Sequence, residues 1–423
     1  MADAVALLQE LIRFDTVNPP GNERPAQERI AGLLTGAGLE VTLVGRTEQR
    51  PNLVARLPGT GDGPTLCLLS HIDTVLADPA DWERDPWSGE LVDGFVWGRG
   101  AIDMKSQTAA EVAAVLRLAR EGWRGAGDVL LVVVVDEETG GADGAQWICA
   151  ERPELVRCDY LLNEGAGSVI PFGDERVYGV CVGEKGVFRF KVLADGAAAH
   201  ASMPQMGDNA LLKIAPIISR LGERQPPHDV TDVPRAMLDG LGVSFEELRE
   251  RDPLLAVVVE PLLGVTFAPT RVWASDKINV IPAQAGVAVD CRVPPGLGRE
   301  AAERRLRELL DGADGYRVEF MEQVAGNTSP VDTPLMATIA DWVAAEDPGA
   351  RVVPTILPGF SDTRSWRAAF PDVVGYGFFP QSHQTLHETA SLMHGADERI
   401  DARDVELATR FYEHAARELC GGR

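Results

Sequence analysis

The sequence is short of positive charge. Its 423 residues include 40 Lys and Arg against 64 Asp and Glu, which gives a formal net charge of −24. A surface of this sign repels the phosphates of nucleic acids and the anionic face of a membrane. We therefore expect neither nucleic acid nor a membrane as a partner.

Long hydrophobic runs and paired cysteines are also lacking. No apolar run reaches the roughly 18 residues needed to cross a bilayer. Residues 1–8 contain no basic region followed by an apolar stretch and a cleavage site, so we predict no secretory signal. The cysteines are scattered, without a CxxC pair: Cys67, Cys149, Cys158, Cys181, Cys291 and Cys420. Reduced thiols in a cytoplasmic protein are the expectation.

Nucleotide-binding motifs are missing as well. The sequence has no GxxxxGK[ST] phosphate loop and no dinucleotide fingerprint. A nucleotide-dependent ligase or transferase acting on amides is therefore disfavoured. Internal repeats and low-complexity tracts are also not found.

The length and the hydrophobic pattern indicate an α/β protein with two domains. The chain exceeds the about 300 residues at which one hydrophobic core stops growing. Strand-like runs at 39–44, 52–56 and 65–70 precede a helical pattern at 106–121 and a strand at 129–135. The last run is wholly apolar, which is typical of a strand covered on both faces. The sequence therefore predicts an α/β sheet with helices on both faces and a site at the carboxyl ends of its strands.

The pattern changes near residue 180. Alternating residues at 183–194, a polar segment at 224–261 and a strand-like run at 285–292 indicate an inserted α+β domain at 181–292. The first domain then comprises 1–180 and 293–423 and ends in an amphipathic helix at 403–419. Whether the polar segment 224–261 shapes a substrate site or is a passive loop is left open.

The apolar strand that begins at Leu66 ends in the motif His71-Ile72-Asp73. Because side chains alternate along a strand, His71 and Asp73 point the same way, so the carboxylate can orient the imidazole or a metal beside it. A hydrogen-bonded structural histidine is the alternative.

A Gly-rich turn, Gly98-Arg99-Gly100-Ala101-Ile102-Asp103-Met104-Lys105, brings one aspartate to the start of a helix. Asp103 in this place is either a helix cap or a metal ligand that bridges two cations through its two oxygens. The motif alone does not decide between them.

Three acids, Asp136-Glu137-Glu138, follow the most apolar strand. Buried carboxylates are costly unless donors or cations compensate them, so a metal ligand next to a general base is one interpretation and a solvated turn is the other. Glu164 follows another apolar stretch, and His394 stands near the C-terminus among only 7 histidines.

Taken in order, these five motifs resemble the M20 metallopeptidase family, which includes aminoacylase-1, acetylornithine deacetylase, succinyl-diaminopimelate desuccinylase and carboxypeptidase G2. The resemblance covers nearly the whole chain. It implies a zinc-exopeptidase-like sheet with an inserted α+β domain that serves as a lid and in dimerisation.

The resemblance also implies a two-zinc site. His71, Asp103 and Glu164 would bind one zinc, and Asp103, Glu138 and His394 the other, with Asp103 bridging. Two imidazoles and three carboxylates suit Zn²⁺, Co²⁺ or Mn²⁺ and exclude a thiolate-only site. Because His383 and His387 stand close to His394 in the sequence, either is an alternative ligand.

Catalytic roles follow from the same resemblance. Glu137 would be the general base, and Asp73 would orient His71. In the segment Gly196-Ala197-Ala198-Ala199-His200-Ala201-Ser202-Met203-Pro204, His200 would reach the site of a second subunit and stabilise the oxyanion, which makes a homodimer part of catalysis. The alternative is that His200 caps a helix near Pro204.

The same resemblance implies four candidates for holding the substrate: Asn279, Arg292, Gly359 and Arg364. Arginine suits a carboxylate because its donors form a fixed, bidentate fork. Each of the four can instead be structural.

The sequence therefore predicts a metal-dependent hydrolase with two zinc ions per subunit. We expect it to cleave the amide bond of an N-acyl-amino acid or of a small peptide with a free carboxylate, as a deacylase. A di- or carboxypeptidase of the same family is the alternative. A catalytically inactive binding protein is a third hypothesis, against which the presence of Glu137 argues.

Overall fold

The computed structural model of the protein describes residues 3–223 and 225–421. It divides into two compact units. The first comprises residues up to Val182, Ser329–Thr355 and residues from Ser361 onward, and the second comprises Gly183–Thr328 and Ile356–Phe360. Met1, Ala2, Arg224, Gly422 and Arg423, which the predicted ranges include, lie outside the described residues.

The helices, in chain order, are α1 Ala4–Ile12, α2 Arg24–Gly36, α3 Lys105–Arg120, α4 Ala145–Glu151, α5 Pro153–Val156, α6 Ala210–Glu223, α7 Asp232–Leu241, α8 Phe245–Arg251, α9 Pro253–Val259, α10 Arg299–Leu309, α11 Pro334–Glu346, α12 Thr363–Ala369, α13 Leu386–Leu392 and α14 Ala402–Cys420. The helices predicted at 106–121 and 403–419 are α3 and α14, each within one residue at both ends.

The strands are β1 Glu40–Val44, β2 Asn52–Leu57, β3 Leu66–His71, β4 Leu91–Val92, β5 Phe95–Trp97, β6 Val129–Val134, β7 Tyr160–Asn163, β8 Ser168–Phe172, β9 Glu175–Glu184, β10 Gly186–Val187, β11 Phe190–Asp195, β12 Ala199–His200, β13 Thr266–Trp273, β14 Val280–Ile281, β15 Gln284–Val293, β16 Tyr316–Phe320, β17 Asn327–Thr328, β18 Arg351–Leu357, β19 Val374–Gly377, β20 Gln381–Thr385 and β21 Arg399–Asp401.

The first unit is built on a mixed sheet with the strand order β1-β2-β6-β3-β7-β19-β9-β8-β20. β3 runs parallel to β6 and β7, and β19 runs parallel to β7. β1 and β2 add an antiparallel edge. The predicted α/β class is confirmed, and the wholly apolar strand β6 is buried along its whole length.

Helices cover both faces of this sheet. Val132 and Val134 of β6 share a core with Ile148 of α4 and Trp366 of α12. Because side chains alternate, the other residues of β6 point to the opposite face. That face is covered by α3, which contacts β3 and β6, and α14 packs against α3 in turn.

The second unit is an antiparallel sheet with helices. Its main sheet has the order β10-β15-β11-β16, with β13 paired to β15. Ile214 and Ile217 of α6 and Leu306 of α10 pack with the strands in one core. A separate two-stranded ribbon is formed by β12 and β14.

The second unit extends further along the chain than the predicted boundary at residue 292. Residues 293–328 belong to it because β16 pairs with β11 and α10 contributes Leu306 to its core. The described part of the polar segment 224–261 forms the helices α7, α8 and α9, which bury Leu241, Leu248 and Val259.

Among the described residues, no helix is both long enough and apolar enough to cross a membrane.

Candidate metal centre

The candidate ligands stand where the parallel strands of the first unit end. In the register of β3 with β6, His71 lies opposite Val134, so both strands end at the same edge of the sheet. β7, which is parallel to β3, ends at Asn163, one residue before Glu164. The sheet thus brings together His71, the Asp136-Glu137-Glu138 turn and Glu164, as the sequence predicted.

The five predicted ligands form one cluster. His71 Nε2 lies 3.1 Å from Asp103 Oδ1 and 4.0 Å from Glu164 Oε2. His394 Nε2 lies 3.1 Å from Asp103 Oδ2 and 3.3 Å from Glu138 Oε2. Asp103 therefore lies between the two imidazoles and offers a different oxygen to each, which is the arrangement required of a bridging carboxylate.

Glu137 belongs to the same cluster. Ligand atoms of His71, Glu137 and Glu164 lie within 4.8 Å of one another, and so do those of His71, Asp103 and Glu138. The predicted base is thus in reach of the atoms that would hold a cation. Its neighbour Glu138 is directed toward His394.

The turn that carries Glu137 and Glu138 is held by Asp73. Asp136, with φ of 72°, reverses the chain just after β6. The backbone N–H of Glu137 then donates to Asp73 Oδ1 and that of Glu138 to Asp73 Oδ2, both at 3.2 Å. The two oxygens of one carboxylate therefore fix two consecutive peptides.

His71 and Asp73 are in contact mainly through the backbone of Asp73. His71 Nδ1 lies 3.0 Å from the backbone oxygen of Asp73 and 3.5 Å from its carboxylate, which is taken by the turn. An Nδ1–H that donates to a carbonyl leaves the lone pair on Nε2, which faces Asp103. His71 is thus oriented by Asp73, through the backbone oxygen at 3.0 Å and with the carboxylate nearby.

A buried ion pair joins the loops of Asp103 and His394. Glu398 is fully buried and accepts from Arg99 Nη1 at 2.6 Å and from the backbone N–H of Asp103 at 3.0 Å. Arg99 Nη2 donates to the backbone oxygens of His394 and Gly395 at 3.3 and 2.9 Å. The pair therefore fixes two candidate ligands that are far apart in the sequence.

The electrostatics of the cluster favour cations. Burial raises the pKa of Glu164, and the Asp103 carboxylate raises it further. Burial would lower the pKa of His71, but contacts with Asp103 and Asp73 raise it well above its usual value. Asp103 and Glu138 raise the pKa of His394 to about 10. The raised pKa values reflect an excess of carboxylates over positive charge, an excess that bound metal ions would balance.

One carboxylate oxygen in the cluster also lacks a hydrogen-bond donor among the described residues. Glu138 Oε1 is buried and has no hydrogen bond among the described residues. A buried carboxylate oxygen without a donor is unfavourable unless a cation compensates it. The donor set of two imidazoles and several carboxylates, together with this oxygen, fits a pair of borderline divalent metals.

The alternative histidines stand elsewhere. His383 lines a surface cavity of about 600 Å³ together with Asp3 and Leu91. His387 lies on α13. The geometry therefore favours His394 over both as the ligand.

In the second unit, the β12–β14 ribbon brings two predicted residues side by side. His200 pairs with Val280, and the N–H of Ala201 donates to the oxygen of Asn279 at 3.0 Å. His200 is exposed, and its Nδ1 accepts the backbone N–H of Ser202 at 3.3 Å. An Nδ1 that accepts places the proton on Nε2, the form that donates to an oxyanion. His200 is not the cap of the short 3₁₀ helix at Pro204–Met206, where the N-cap is Met203.

The remaining substrate candidates have different surroundings. Arg292 pairs with Asp290 at 2.7 Å and lies over the ring of Phe360, while its Nη1 is buried without a partner among the described residues. A Cβ on Gly359 would meet no described atom within 4 Å. Arg364, in the first unit, donates to the backbone oxygen of Gly140 at 3.1 Å. Arg364 thus supports the turn that carries the acids.

The chain is similar in sequence to a known protein family and to named enzymes. The model of peptidase family M20/M25/M40 matches residues 67–418. The succinyl-diaminopimelate desuccinylase of Cereibacter sphaeroides (strain KD131 / KCTC 12085) is 31% identical and covers 97% of both chains. The enzyme of the same name from Xanthobacter autotrophicus is 28% identical, over 96% of this chain and 97% of that one.

Solved structures share the fold. An M20 family metallo-carboxypeptidase from Sulfolobus solfataricus has a TM-score of 0.76 at 19% identity and covers 99% of both chains. Human carnosine dipeptidase 1 has a TM-score of 0.67 at 15% identity, over 99% of this chain and 96% of that one. A dinuclear metal-binding peptidase of the M20 family from Bacillus subtilis has a TM-score of 0.61 at 18% identity, over 98% and 97%. The predicted resemblance is confirmed, and the chain belongs to peptidase family M20/M25/M40, as a metallo-hydrolase of that family.

Proposed function

We propose that the protein is a dinuclear zinc amidohydrolase that removes the acyl group from an N-acyl-amino acid or a small peptide with a free carboxylate. The observation that carries this proposal is the position of Asp103, which is 3.1 Å from each of two imidazoles. The 31% identity to a desuccinylase over nearly the whole chain supports a deacylase. A di- or carboxypeptidase is the alternative within the same family.

The ligand assignment in this proposal follows the cluster. His71, Asp103 and Glu164 would hold one cation, and Asp103, Glu138 and His394 would hold the other. When bound, the two cations supply positive charge that makes water more acidic and polarises the carbonyl of the substrate. Co²⁺ or Mn²⁺ in place of Zn²⁺ is compatible with these donors.

In this proposal, Glu137 transfers a proton from water to the leaving amine. Its carboxylate accepts a proton from water as the water oxygen forms a bond to the amide carbon. It then gives this proton to the amide nitrogen as the C–N bond breaks, so that a carboxylic acid and an amine leave. The hydrogen bonds from the Glu137 and Glu138 peptides to Asp73 keep the base directed at the cluster.

Residues of the second unit bind the rest of the substrate. We propose that Nε2–H of His200, supplied by a second subunit of a homodimer, donates to the oxyanion. Arg292 would hold the substrate carboxylate, which is supported by its Nη1, a buried donor without a hydrogen-bond partner in the part of the chain that the structure describes. Asn279 lies beside His200 on the same ribbon and would contact the same substrate, whereas Gly359 and Arg364 would shape the pocket. In this proposal the first unit is the catalytic domain and the second is the lid and dimerisation domain.

We further propose a cytoplasmic location. The cysteines that the structure describes are all buried free thiols, which suits a reducing compartment.

The test is hydrolysis of a panel of N-acyl-amino acids, dipeptides and C-terminally varied tripeptides with added Zn²⁺ or Co²⁺. We expect cleavage to need metal and to favour the acylated amino acids. Glu137→Gln should lower kcat by roughly 10²- to 10⁴-fold at unchanged metal content, because only the proton acceptor is lost. The exposed Glu151→Gln is the matched control and should behave as wild type.

Two results would count against the proposal. Full activity of Glu137→Gln would remove its role as the base. A metal-loaded wild type that cleaves nothing in the panel would favour the inactive binding protein.

A further inference from the structure

A buried amide lies beneath the turn that carries Glu137 and Glu138. Asn18, which is only 5% exposed, stands in the loop after α1. Its Nδ2 donates to Asp73 Oδ2 at 2.9 Å and to Asp136 Oδ1 at 3.2 Å. The side chain thus bridges two carboxylates that would otherwise repel each other in a poorly hydrated place.

The backbone holds Asn18 against the segment that follows β3. The N–H of Asn18 donates to the oxygen of Thr74 at 2.9 Å, and the N–H of Thr74 donates to the oxygen of Thr16 at 3.0 Å. These two bonds fix the Cα of Asn18 next to Asp73. The amide therefore has a defined position relative to both carboxylates.

The two bridged carboxylates control the turn. Asp73 accepts the peptide N–H groups of Glu137 and Glu138. Asp136 accepts the hydroxyl of Thr139 at 2.7 Å and begins the turn with its positive φ. The direction of the Glu137 and Glu138 side chains therefore depends on how Asp73 and Asp136 are placed relative to each other.

The guanidinium of Arg50 partly balances the negative charge of this carboxylate network. Arg50 Nη1 lies 3.1 Å from Asp136 Oδ1, and Arg50 Nη2 lies 2.7 Å from Glu23 Oε1. The guanidinium packs against Gly21 (φ +83°), where any other residue would clash with it, because a Cβ there would lie 2.3 Å from Arg50 Nε. Arg50 supplies positive charge to Asp136, whereas Asn18 joins Asp73 to Asp136 without adding any. A neutral donor at this place leaves the negative potential at the metal cluster intact.

We propose that Asn18 is a positioning residue for catalysis: by bridging Asp73 and Asp136 it sets the orientation of Glu137 and Glu138. The inference rests on the proposed roles of these two glutamates as base and ligand. Asn18 itself contacts neither substrate nor metal in this proposal.

The experiment compares Asn18→Leu, which has a similar size and no donor, with Asn22→Leu in the same loop. Asn22 donates to the backbone oxygen of Asp15 at 3.4 Å, away from the two carboxylates. We measure kcat and KM on the best substrate of the panel, the visible absorption of the Co²⁺-loaded protein and the melting temperature. Asn18→Leu should lower kcat by roughly 10- to 100-fold with KM within about two-fold, and should change the Co²⁺ spectrum. Asn22→Leu should match the wild type in all three.

A second variant separates the donor from the packing. Asn18→Asp keeps the shape but places a third carboxylate beside Asp73 and Asp136, so it should lose more activity than Asn18→Leu. If Asn18→Leu does not fold, Asn18→Ser, which is too short to bridge the carboxylates, carries the same expectation for kcat and the Co²⁺ spectrum.

A lower melting temperature with unchanged kcat and an unchanged Co²⁺ spectrum would overturn the inference, since it would show that Asn18 only stabilises the loop. An inert wild type would instead defeat the proposed function, and the inference would fall with it. The two failures are distinguished by whether the wild type itself turns over.

Discussion

The candidate residues of the first unit and those of the second are held in different ways. His71 and Asp103 are buried, lie within hydrogen-bond distance of each other and are fixed by further bonds from their own loops. His200 and Asn279 are exposed and are placed side by side by the backbone of a short ribbon. The first group is thus assembled in advance, whereas the second is presented on a surface.

This difference reflects the chemistry that each group is proposed to perform. Metal ligands and a general base need a fixed geometry, and burying several acids together is unfavourable unless cations, donors and partner charges compensate it. A group that meets a substrate from outside has to be accessible before the substrate arrives. We therefore expect substitutions of the metal ligands and their supporting contacts in the first unit to act on metal binding, and substitutions of His200 and Asn279 in the second to act on turnover with the metals still bound.

The largest effect that separates the two groups is expected for His200→Ala. Loss of one donor to an oxyanion lowers kcat by roughly 10²- to 10³-fold. The metal content should remain that of the wild type, which elemental analysis of the purified variant checks. Ser202→Ala is the matched control, because it removes the hydroxyl 2.7 Å from His200 Nδ1 and keeps the backbone N–H that orients the ring.

Mixing two inactive variants sharpens this prediction. If His200 acts in the site of a second subunit, a hybrid dimer of His200→Ala and Glu137→Gln subunits contains one complete site. Random mixing of the two variants should then restore about a quarter of the wild-type activity per subunit. No recovery in mixtures that do exchange subunits would place His200 in its own subunit's site or outside catalysis.

The proximity of the residues of the first group could be predicted from the sequence because its signals are local. The apolar runs that became β3 and β6 identify buried parallel strands, and parallel strands deliver the residues after them to one edge. The positions of His71, Glu138 and Glu164 follow from that rule, and the ordered motifs supplied Asp103 and His394.

The supporting contacts were missed because they depend on pairing between distant segments. Asn18 stands next to Pro19 and Pro20 in a loop, and nothing in its local sequence indicates its partner. Asp73 is identified as that partner only once Thr74 pairs with this loop. The second unit was cut short for the same reason, since β16 is short and pairs with β11 from far earlier in the chain. Neither contact has a local signature.

A smaller effect is expected from the ion pair that joins the two ligand loops. Glu398→Gln places an amide NH₂ among donors, since the carboxylate accepts from Arg99 and from the N–H groups of Gly100, Ile102 and Asp103. Metal affinity should fall by roughly 10- to 100-fold, measured by competition with a chelator.

Glu346→Gln provides the control for that prediction. Glu346 also pairs with an arginine, Arg410, at 2.6 Å, but both side chains are exposed. Exposed pairs contribute about 0–1 kcal/mol, so neither metal affinity nor stability should change much. Equal effects of the two substitutions would mean that the buried pair does not position Asp103 and His394.

Glu111 is a buried acid of the first unit that lies outside the metal cluster. Its substitution should have the smallest effect on activity but a clear effect on stability. Glu111 of α3 is fully buried and accepts from Gln107 at 2.9 Å, and its burial raises its pKa to about 8. The folded protein therefore keeps this proton between pH 4.5 and about 8, where the unfolded chain has released it. Stability falls as the pH rises through this window, by up to about 1.4 kcal/mol per pH unit from this group.

Glu111→Gln removes that dependence while keeping the oxygen that accepts from Gln107. We measure the free energy of unfolding in urea at pH 5.5, 6.75 and 8. The stability of the variant relative to the wild type should increase as the pH rises, with kcat unchanged at each pH. The exposed Glu151→Gln should follow the wild type throughout. A constant difference between Glu111→Gln and wild type would mean that Glu111 is ionised in the folded protein. The first unit would then tolerate a buried negative charge even without a cation, and the burial of its acid cluster would not by itself require metal ions.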